Sequence, residues 1–548
     1  MSRRLPIVSS DVLAGIAVAA IEIPTALAYA QLAGFSPVVG LYASILPLVG
    51  YALVGSSRQL IVGPDAATCA IVAATLIDLA GGNNDRYLDL SITLSFAVGF
   101  ICILGGILRL GSLANLLSRP ILVGFLNGIS LTIVTSQLGK ICGISVRTDT
   151  GLFLRLGDFV ARVPDTHIPT LLVGVATLLV IVIAGKIWPR IPGALVGVLV
   201  GIFLMKALNL SVWAVPTVGS IPSGIPLPHF PKSFWADAVR LLPDATGIAL
   251  ICFCSSMPTV KSFALRRGYQ IDVNRELVAL GVANLASGLS NGFAVAGADS
   301  RTAVNDQAGG RSKASGLVAA TTMTALLIFG TGPLELIPKP SLGAILILAG
   351  AALFEVRAVR EMFYVNRSEF ALSVFATLGV ATIGVLAGIV LAVVLSIVML
   401  LLRAANPSDA VLGRVSGVDG YADTNEFPDA ETIPGILIYR FDAALVFFNA
   451  EYFKRRVRET IARTDPVPRH FVFDMEAING IDVTGIESLE EIRSELASKD
   501  IAFSVVRAKV GVRERISRAG VAGRIGEERF YQSVRSAVQA CIGQAKFE

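Results

Sequence analysis

Histidine is nearly missing from this chain: three copies, at positions 167, 229 and 470, fall in no shared motif. Cysteine is scarce too. Its six copies (69, 102, 142, 252, 254 and 541) are dispersed, five of them in apolar runs, with no CxxC pair and no metal-ligand spacing. Zinc and haem chemistry are left without a ligand set, and the cysteines read as small packing residues. Charge is the third shortage. Asp, Glu, Lys and Arg make up 16% of the 548 residues, against about 25% in a soluble domain, and the deficit is confined to the first 400 positions. No nucleophile–base pair or metal constellation points to an enzyme, so none is expected. No cofactor is expected beyond a coupling ion.

What fills the gap is hydrocarbon. The chain is 54% hydrophobic with a mean hydropathy of +0.70. Apolar stretches long enough to cross about 30 Å of lipid include Val12–Leu32, Leu90–Leu108, Leu171–Ala184, Ala314–Phe329 and Phe370–Leu402. The last is expected to be two spans joined near Gly388. Arg3 and Arg4 precede a run too long for a cleaved signal peptide, and Glu22 and Pro24 interrupt it. The basic residues sit in alternate loops: Arg58, Arg109 and Arg119, Lys186 and Arg190, Lys261 with Arg266 and Arg267, Arg311 and Lys313, then Arg357, Arg360 and Arg367. The intervening loops are poor in Lys and Arg, except around 140–162 and 232–240. The positive-inside bias then places both termini in the cytoplasm, with about fourteen spans in a cell (inner or plasma) membrane. It also accounts for the net charge of +5 without nucleic acid.

Near residue 404 the character changes. A polar, Gly/Pro-rich stretch over 405–434 reads as a linker. Beyond it, ILIYRF, FVFDM and IAFSVVRA suit buried strands, and EYFKRRVRETIAR and TGIESLEEIRSELAS suit amphipathic helices. The expected organisation is a membrane domain over 1–404, of two repeats at roughly 11–210 and 243–403, and a small α/β domain over 435–548.

Two apolar runs break in the same way. Gly63-Pro64-Asp65-Ala66-Ala67-Thr68 and Gly297-Ala298-Asp299-Ser300-Arg301-Thr302 share the pattern G-x-D-x-x-T, 234 residues apart. Each reads as extended chain leading into a helix that an aspartate caps. Extended backbone cannot face lipid, so these segments must be buried in protein or line a cavity. Paired broken helices in two repeats point to a transporter site near the bilayer midplane. Two free helix N-termini, each carrying about half a positive charge, suit an anion. Structural kinks with plain aspartate caps are the alternative.

At these residues the sequence resembles the sulfate permease (SulP) family of anion transporters. The likeness runs through DVLAGIAVAAIEIPTALAYAQLAGFSPVVGLYAS, GSSRQLIVGPDAAT, SRPILVGFLNGISL, VGSIPSGIPLP, ALGVANLASGLSNGFAVAGADSRTAVNDQAGGRS and IPGILIYRFDAALVFFNAEYFKRRV. The resemblance implies a polytopic α-helical fold with a seven-plus-seven inverted repeat, two half-helices and a cytoplasmic STAS domain. It also implies a homodimer working by an elevator-like movement. Carried over by motif, the substrate-facing positions are Thr25 and Tyr29, then Asp65, Ala66 and Ala67, then Ala298, Asp299, Ser300 and Arg301. Sulfate is the expected anion; bicarbonate, chloride and dicarboxylates are alternatives, by symport or exchange. A membrane-anchored anion sensor signalling through STAS is the rival from another class.

Three departures stand out. Many members carry an acid in the eighth span where this chain has Ser255. Asp299 replaces a small or apolar residue, and Glu22 lies in a span usually apolar. Asp65 or Asp299 is therefore expected to take the coupling sodium or proton, unless both are caps turned from the pocket. Arg301 is read as charge complement for the substrate, or else as a salt-bridge partner of Asp299 or Asp65. Glu22 is read as a bundle hydrogen bond. In the STAS segment, Asp482-Val483-Thr484-Gly485 matches a turn whose hydroxyl residue is phosphorylated in bacterial relatives. Thr484 is read first as a helix cap and second as a regulatory site for a cytoplasmic partner.

Overall fold

The computed structural model describes residues 9–111, 119–146, 152–188, 193–207, 213–231, 233–415 and 420–544. Arg3, Arg4 and Arg190, used in the charge argument, lie outside the described residues, as does the end of the first repeat at 208–210. The chain divides into two compact units, Met1–Ser396 and Ile397–Glu548.

The first unit is helical. Its first repeat runs α1 (Ser9–Leu32), α2 (Val38–Val54), α3 (Ala66–Ala80), α4 (Asn84–Ile107), α5 (Arg119–Cys142), α6 (Leu152–Arg162), α7 (Ile168–Ile187) and α8 (Gly193–Ala207). The second runs α9 (Phe234–Arg267), α10 (Val273–Leu289), α11 (Asp299–Gln307), α12 (Ala314–Phe329), α13 (Gly332–Glu335), α14 (Lys339–Leu353), α15 (Val356–Val365), α16 (Arg367–Thr382) and α17 (Val385–Ala405). Leaving aside α6, α13 and α15, each repeat supplies seven crossing segments, one of them a half-helix: α3 in the first, α11 in the second. The short helices α6 and α15 follow the fifth crossing of their repeats. Phe153, Leu154 and Val160 on α6, and Val356 and Val365 on α15, are exposed apolar side chains, as expected of helices lying in a membrane interface. Large apolar residues such as Leu13, Phe100 and Leu104 are exposed on the long helices, a surface that lipid covers.

Two bundles form within this unit. Helix α10 packs on α4 and α2, and α1 packs on α12 and α11, while α5 packs on α14, α16 and α7. The first bundle holds both half-helices.

Two boundaries differ from expectation. The turn between the last two spans is at Gly384, not Gly388. Gly384 has φ +120°, a conformation that strains any residue with a side chain. Gly388 lies inside α17, where a Cβ would sit 2.4 Å from the Val380 backbone nitrogen on α16; it is a packing glycine. Helix α9 begins nine residues before the expected start of the second repeat.

In the second unit the strands are β3 (Asp409–Val415), β4 (Tyr421–Asp423), β5 (Ala430–Glu431), β6 (Ile436–Phe441), β7 (His470–Asp474), β8 (Ala502–Val506) and β9 (Phe530–Tyr531). The two-residue strands β1 (Val62–Gly63) and β2 (Ala296–Gly297) belong to the first unit. The sheet order is β4-β3-β6-β7-β8-β9, with β5 also on β3. Strands β6 to β9 are parallel; β3 joins antiparallel. Much of the stretch read as linker therefore forms the sheet's antiparallel edge, a place where polar residues also belong. The helices are α18 (Ala450–Arg463), α19 (Val483–Ala497), α20 (Val510–Arg518), α21 (Val521–Ile525) and α22 (Val534–Gln544). Along β6, Leu437, Tyr439 and Phe441 enter one core and Ile436 and Ile438 the other. Both sheet faces are covered, which is why ILIYRF is continuously apolar.

The cap of α19 corrects the reading of Thr484. Asp482 is the N-cap, its Oδ1 accepting from the Gly485 N–H at 2.8 Å while Oδ2 accepts from the Phe447 N–H at 2.8 Å. Thr484 is exposed one position inside the helix. Aspartate and threonine compete for this role, and the residue with extended backbone takes it. Asp482→Ala is expected to cost about 1 kcal/mol of local stability, seen as faster amide exchange in the first turn of α19. Thr484→Ala should leave that exchange unchanged.

Candidate functional site

Both half-helices begin where extended chain runs out, and the two extended pieces pair with each other. Strand β1 lies antiparallel to β2, with Val62 opposite Gly297 and Gly63 opposite Ala296. The Ala298 N–H donates to the Ile61 carbonyl at 3.0 Å and lengthens this ladder. Side chains satisfy what the ladder leaves over. Asn284 accepts from the Val295 N–H at 2.9 Å and donates to the Val295 carbonyl at 3.0 Å, acting as a third strand. The Ser256 Oγ accepts from the Gly297 N–H at 2.9 Å, the Thr302 Oγ1 from the Ile61 N–H at 3.1 Å, and Asn305 donates to the Gln59 carbonyl at 2.9 Å. Irregular backbone at membrane depth is thereby buried and paired.

The tips of α3 and α11 are consequently neighbours. Asp65 caps α3, its Oδ2 accepting from the Ala67 N–H at 3.2 Å. Helix α11 differs from expectation: its N-cap is Ala298, with no side-chain cap, and Asp299 is its first helical residue. The reason lies in the ladder. Ala298 has an N–H to give to Ile61, whereas Pro64 at the matching place in α3's approach has none. Asp299 and Ser300 are exposed, Asp65 is half-buried, and Ala66, Ala67 and Ala298 are buried. The first-turn amides of α11 are left bare. The charges that act on Asp299 are those of Asp65 and Glu355.

Arg301 does not face the opening. It is 1% exposed, and its guanidinium pairs with the fully buried Glu22 of α1 and donates to the Pro64 carbonyl. Neither Asp299 nor Asp65 is its salt-bridge partner. Glu22 also accepts from the Ser44 hydroxyl at 2.8 Å through Oε1, while its Oε2 has no hydrogen-bond partner among the described residues. Gly63 makes room for this pair: a Cβ there would lie 2.7 Å from Glu22 Oε1 and 2.8 Å from Arg301 Nη1. An ion pair this buried needs both members, since removing either leaves a charge with no counterpart. Glu22, the odd acid of the first span, is explained by Arg301.

The remaining positions divide. Tyr29 is half-buried and close enough to Asp65, Arg301 and Glu22 to feel their charges. Thr25 turns its hydroxyl to the Ile21 carbonyl at 2.8 Å and the Glu22 carbonyl at 3.1 Å. Ser255 donates to the Cys252 carbonyl at 3.3 Å within its own helix; the neighbouring Ser256 is the α9 residue that reaches β2. Sequence reasoning missed Ser256, Ser44 and Glu355. Only the buried face of α9, set by helical phase against a distant strand, distinguishes Ser256 from Ser255.

A cavity of about 400 Å³ opens one turn along α3 from its tip. Ala70, Ala73, Ala74 and Ile77 form one wall, and Gln137 and Lys140 of α5 with Arg155 of α6 form the other. Asp65, Asp299 and Arg301 do not line it.

Comparison with known proteins identifies the family and the fold. The profile described as the sulfate permease family matches residues 8–377, and that of the STAS domain matches residues 427–537. A probable sulfate transporter of Mycobacterium tuberculosis is 40% identical over 530 residues, covering 97% of this chain and 94% of the relative. The chloroplastic sulfate transporter 4.1 of Arabidopsis thaliana is 30% identical over 549 residues, covering 97% and 80%. Among solved structures, the murine solute carrier 26 family member A9 anion transporter in the inward-facing state superposes with a TM-score of 0.89 at 23% identity, covering 99% and 92%. The transmembrane domain of a cyanobacterium bicarbonate transporter gives 0.61 at 23% identity, covering 73% of this chain and 98% of that one. At that identity the two structures speak to fold alone.

Proposed function

Because this chain belongs to the sulfate permease family, we propose that it carries sulfate across the membrane, bound between the tips of α3 and α11. The observation that supports this most is the β1–β2 ladder, which holds two helix N-termini against one another at a place where Asp299 and Ser300 are exposed. Substrate contacts would come from the amides of Ala66, Ser300 and Arg301, with Ala67 beside them and Tyr29 and Thr25 on the facing side. The separately packed bundles suit an elevator movement of the half-helix bundle against the other. The protein is taken to work as a homodimer in the cell membrane, with both termini and the STAS domain in the cytoplasm and Thr484 open to a regulator.

Charge decides the transport mode. Glu22 and Arg301 cancel. The two helix tips contribute roughly +1 together, and ionised Asp65 and Asp299 contribute −2, with Glu355 nearby. A sulfate dianion would meet net negative charge. Uptake of a proton or sodium at Asp65 or Asp299 removes the conflict, so symport is the reading we favour over simple exchange.

The test is uptake of labelled sulfate by proteoliposomes across pH, with and without sodium, against unlabelled bicarbonate, chloride and dicarboxylates. Saturable sulfate uptake driven by an inward proton or sodium gradient is expected. Binding without flux would establish the sensor reading instead, and competition by bicarbonate but not sulfate would reassign the substrate.

A further inference from the structure

We propose that the cavity beside α3 is an outer capture site, centred on Lys140, which collects the hydrated oxyanion before it reaches the helix tips. The inference rests on the transport reading above and adds a second binding place to it.

It begins with an anomaly of charge. The stretch 140–162 broke the alternation of basic and neutral loops, putting cations where the positive-inside bias predicts few. The fold accounts for two of them: Lys140 at the end of α5 and Arg155 on α6 line the same cavity. Arg155 is 7% exposed and gives Nη1 to the Thr132 carbonyl at 3.3 Å. Among the described residues no carboxylate pairs with Lys140. Lys339 lies close enough for the two ammonium charges to repel. An ammonium held in a half-closed space without a counter-ion is expensive, and a bound anion supplies the missing charge. Asp78 is the one acid among the described residues that line the cavity.

The size of the cavity, rather than its acceptors, indicates what form the anion takes. Gln137 is 1% exposed, and its Nε2 donates to the Ser136 hydroxyl at 2.9 Å. That hydroxyl donates in turn to the Ile133 carbonyl at 2.7 Å, which fixes the amide's orientation. Among the described residues the Gln137 Oε1 is buried without a partner, and so is the Oε1 of Gln31, which also lines the cavity. Neither oxygen can touch an anion. Water does not reach them either, so what the anion keeps of its hydration is set by the space beside Lys140. At about 30 Å³ per water, the cavity holds roughly a dozen, ample for an oxyanion with part of its shell. The tip of α11, by contrast, offers amides that no side chain caps. Ala66, Ala70, Ala73, Ala74 and Ile77 recur at helical spacing, giving a track of mostly small side chains from tip to cavity. Dehydration would happen along it.

The test compares wild type, Lys140→Gln and Lys140→Arg in right-side-out and inverted membrane vesicles, with labelled sulfate. Lys140→Gln should raise the apparent KM roughly tenfold in one vesicle orientation only, flatten its dependence on ionic strength, and leave the maximal rate intact. Lys140→Arg should restore the wild-type value. Equal KM in all three proteins, or a shift of the same size in both orientations, would overturn the capture site while transport stands. If wild-type vesicles carry no flux, the transport reading fails, and sulfate binding to the detergent-purified proteins decides. Equal affinity of wild type and Lys140→Gln then refutes the site; weaker binding by the variant upholds it.

Discussion

Arg301→Gln alone is expected to destabilise the protein severely, and Glu22→Gln added to it to restore most of the lost stability. Both side chains are almost fully buried, and each is the other's charge partner. Taking away one member leaves an ion in a place that water cannot reach, at a cost of roughly 3–5 kcal/mol. Against a typical net stability of about 5–15 kcal/mol, such a loss is severe. Neutralising both members removes that penalty and leaves two amides that can bond to each other, to Ser44 and to the Pro64 carbonyl. A double-mutant cycle on detergent-purified protein, read by thermal unfolding, should give a favourable coupling of about 2–4 kcal/mol. The cycle separates two roles for Arg301. A substrate-binding arginine would leave a folded Arg301→Gln protein with weakened sulfate affinity and no rescue by Glu22→Gln. Additive single effects would contradict the ion pair.

Asp65→Asn should uncouple transport without disturbing the fold. Asparagine caps a helix as well as aspartate does, so the bond from the Ala67 N–H survives while the charge goes. With one carboxylate fewer, the site comes to about zero net charge and no longer needs a proton or sodium to admit the anion. Sulfate accumulation against a gradient is expected to fall more than tenfold, towards equilibration, while sulfate–sulfate exchange continues. Asp299→Asn makes the complementary test. Asp299 caps nothing and is exposed, so any effect of its replacement is an effect of charge. If the pH and sodium dependence of uptake persists in both variants, neither aspartate is the coupling group.

The two tips show how far local sequence reaches. Each begins at a Gly-x-Asp that interrupts an apolar run, and an extended segment in lipid has nowhere to go but into protein, so a buried broken helix was legible from either stretch alone. The register was not. Whether Asp299 or Ala298 ends the extended chain depends on one hydrogen bond to Ile61, 237 residues earlier. Thr484 teaches the same lesson in the second unit: several residues of its turn can cap a helix, and Asp482 does so because the Phe447 loop packs beside it.

Composition and the lengths of the apolar runs were enough to establish a membrane protein with a soluble α/β tail, because burying hydrocarbon and pairing backbone groups are demands that each segment must meet by itself. Repeat symmetry followed from two matching interruptions. What the fold alone decided was which charges meet: Glu22 pairs with Arg301, Asp65 lies near enough to Asp299 to repel it, and Lys140 lines a cavity. Coulomb energy depends on distance through the folded molecule and on the water excluded between the groups, and neither quantity is written in the spacing of residues along the chain.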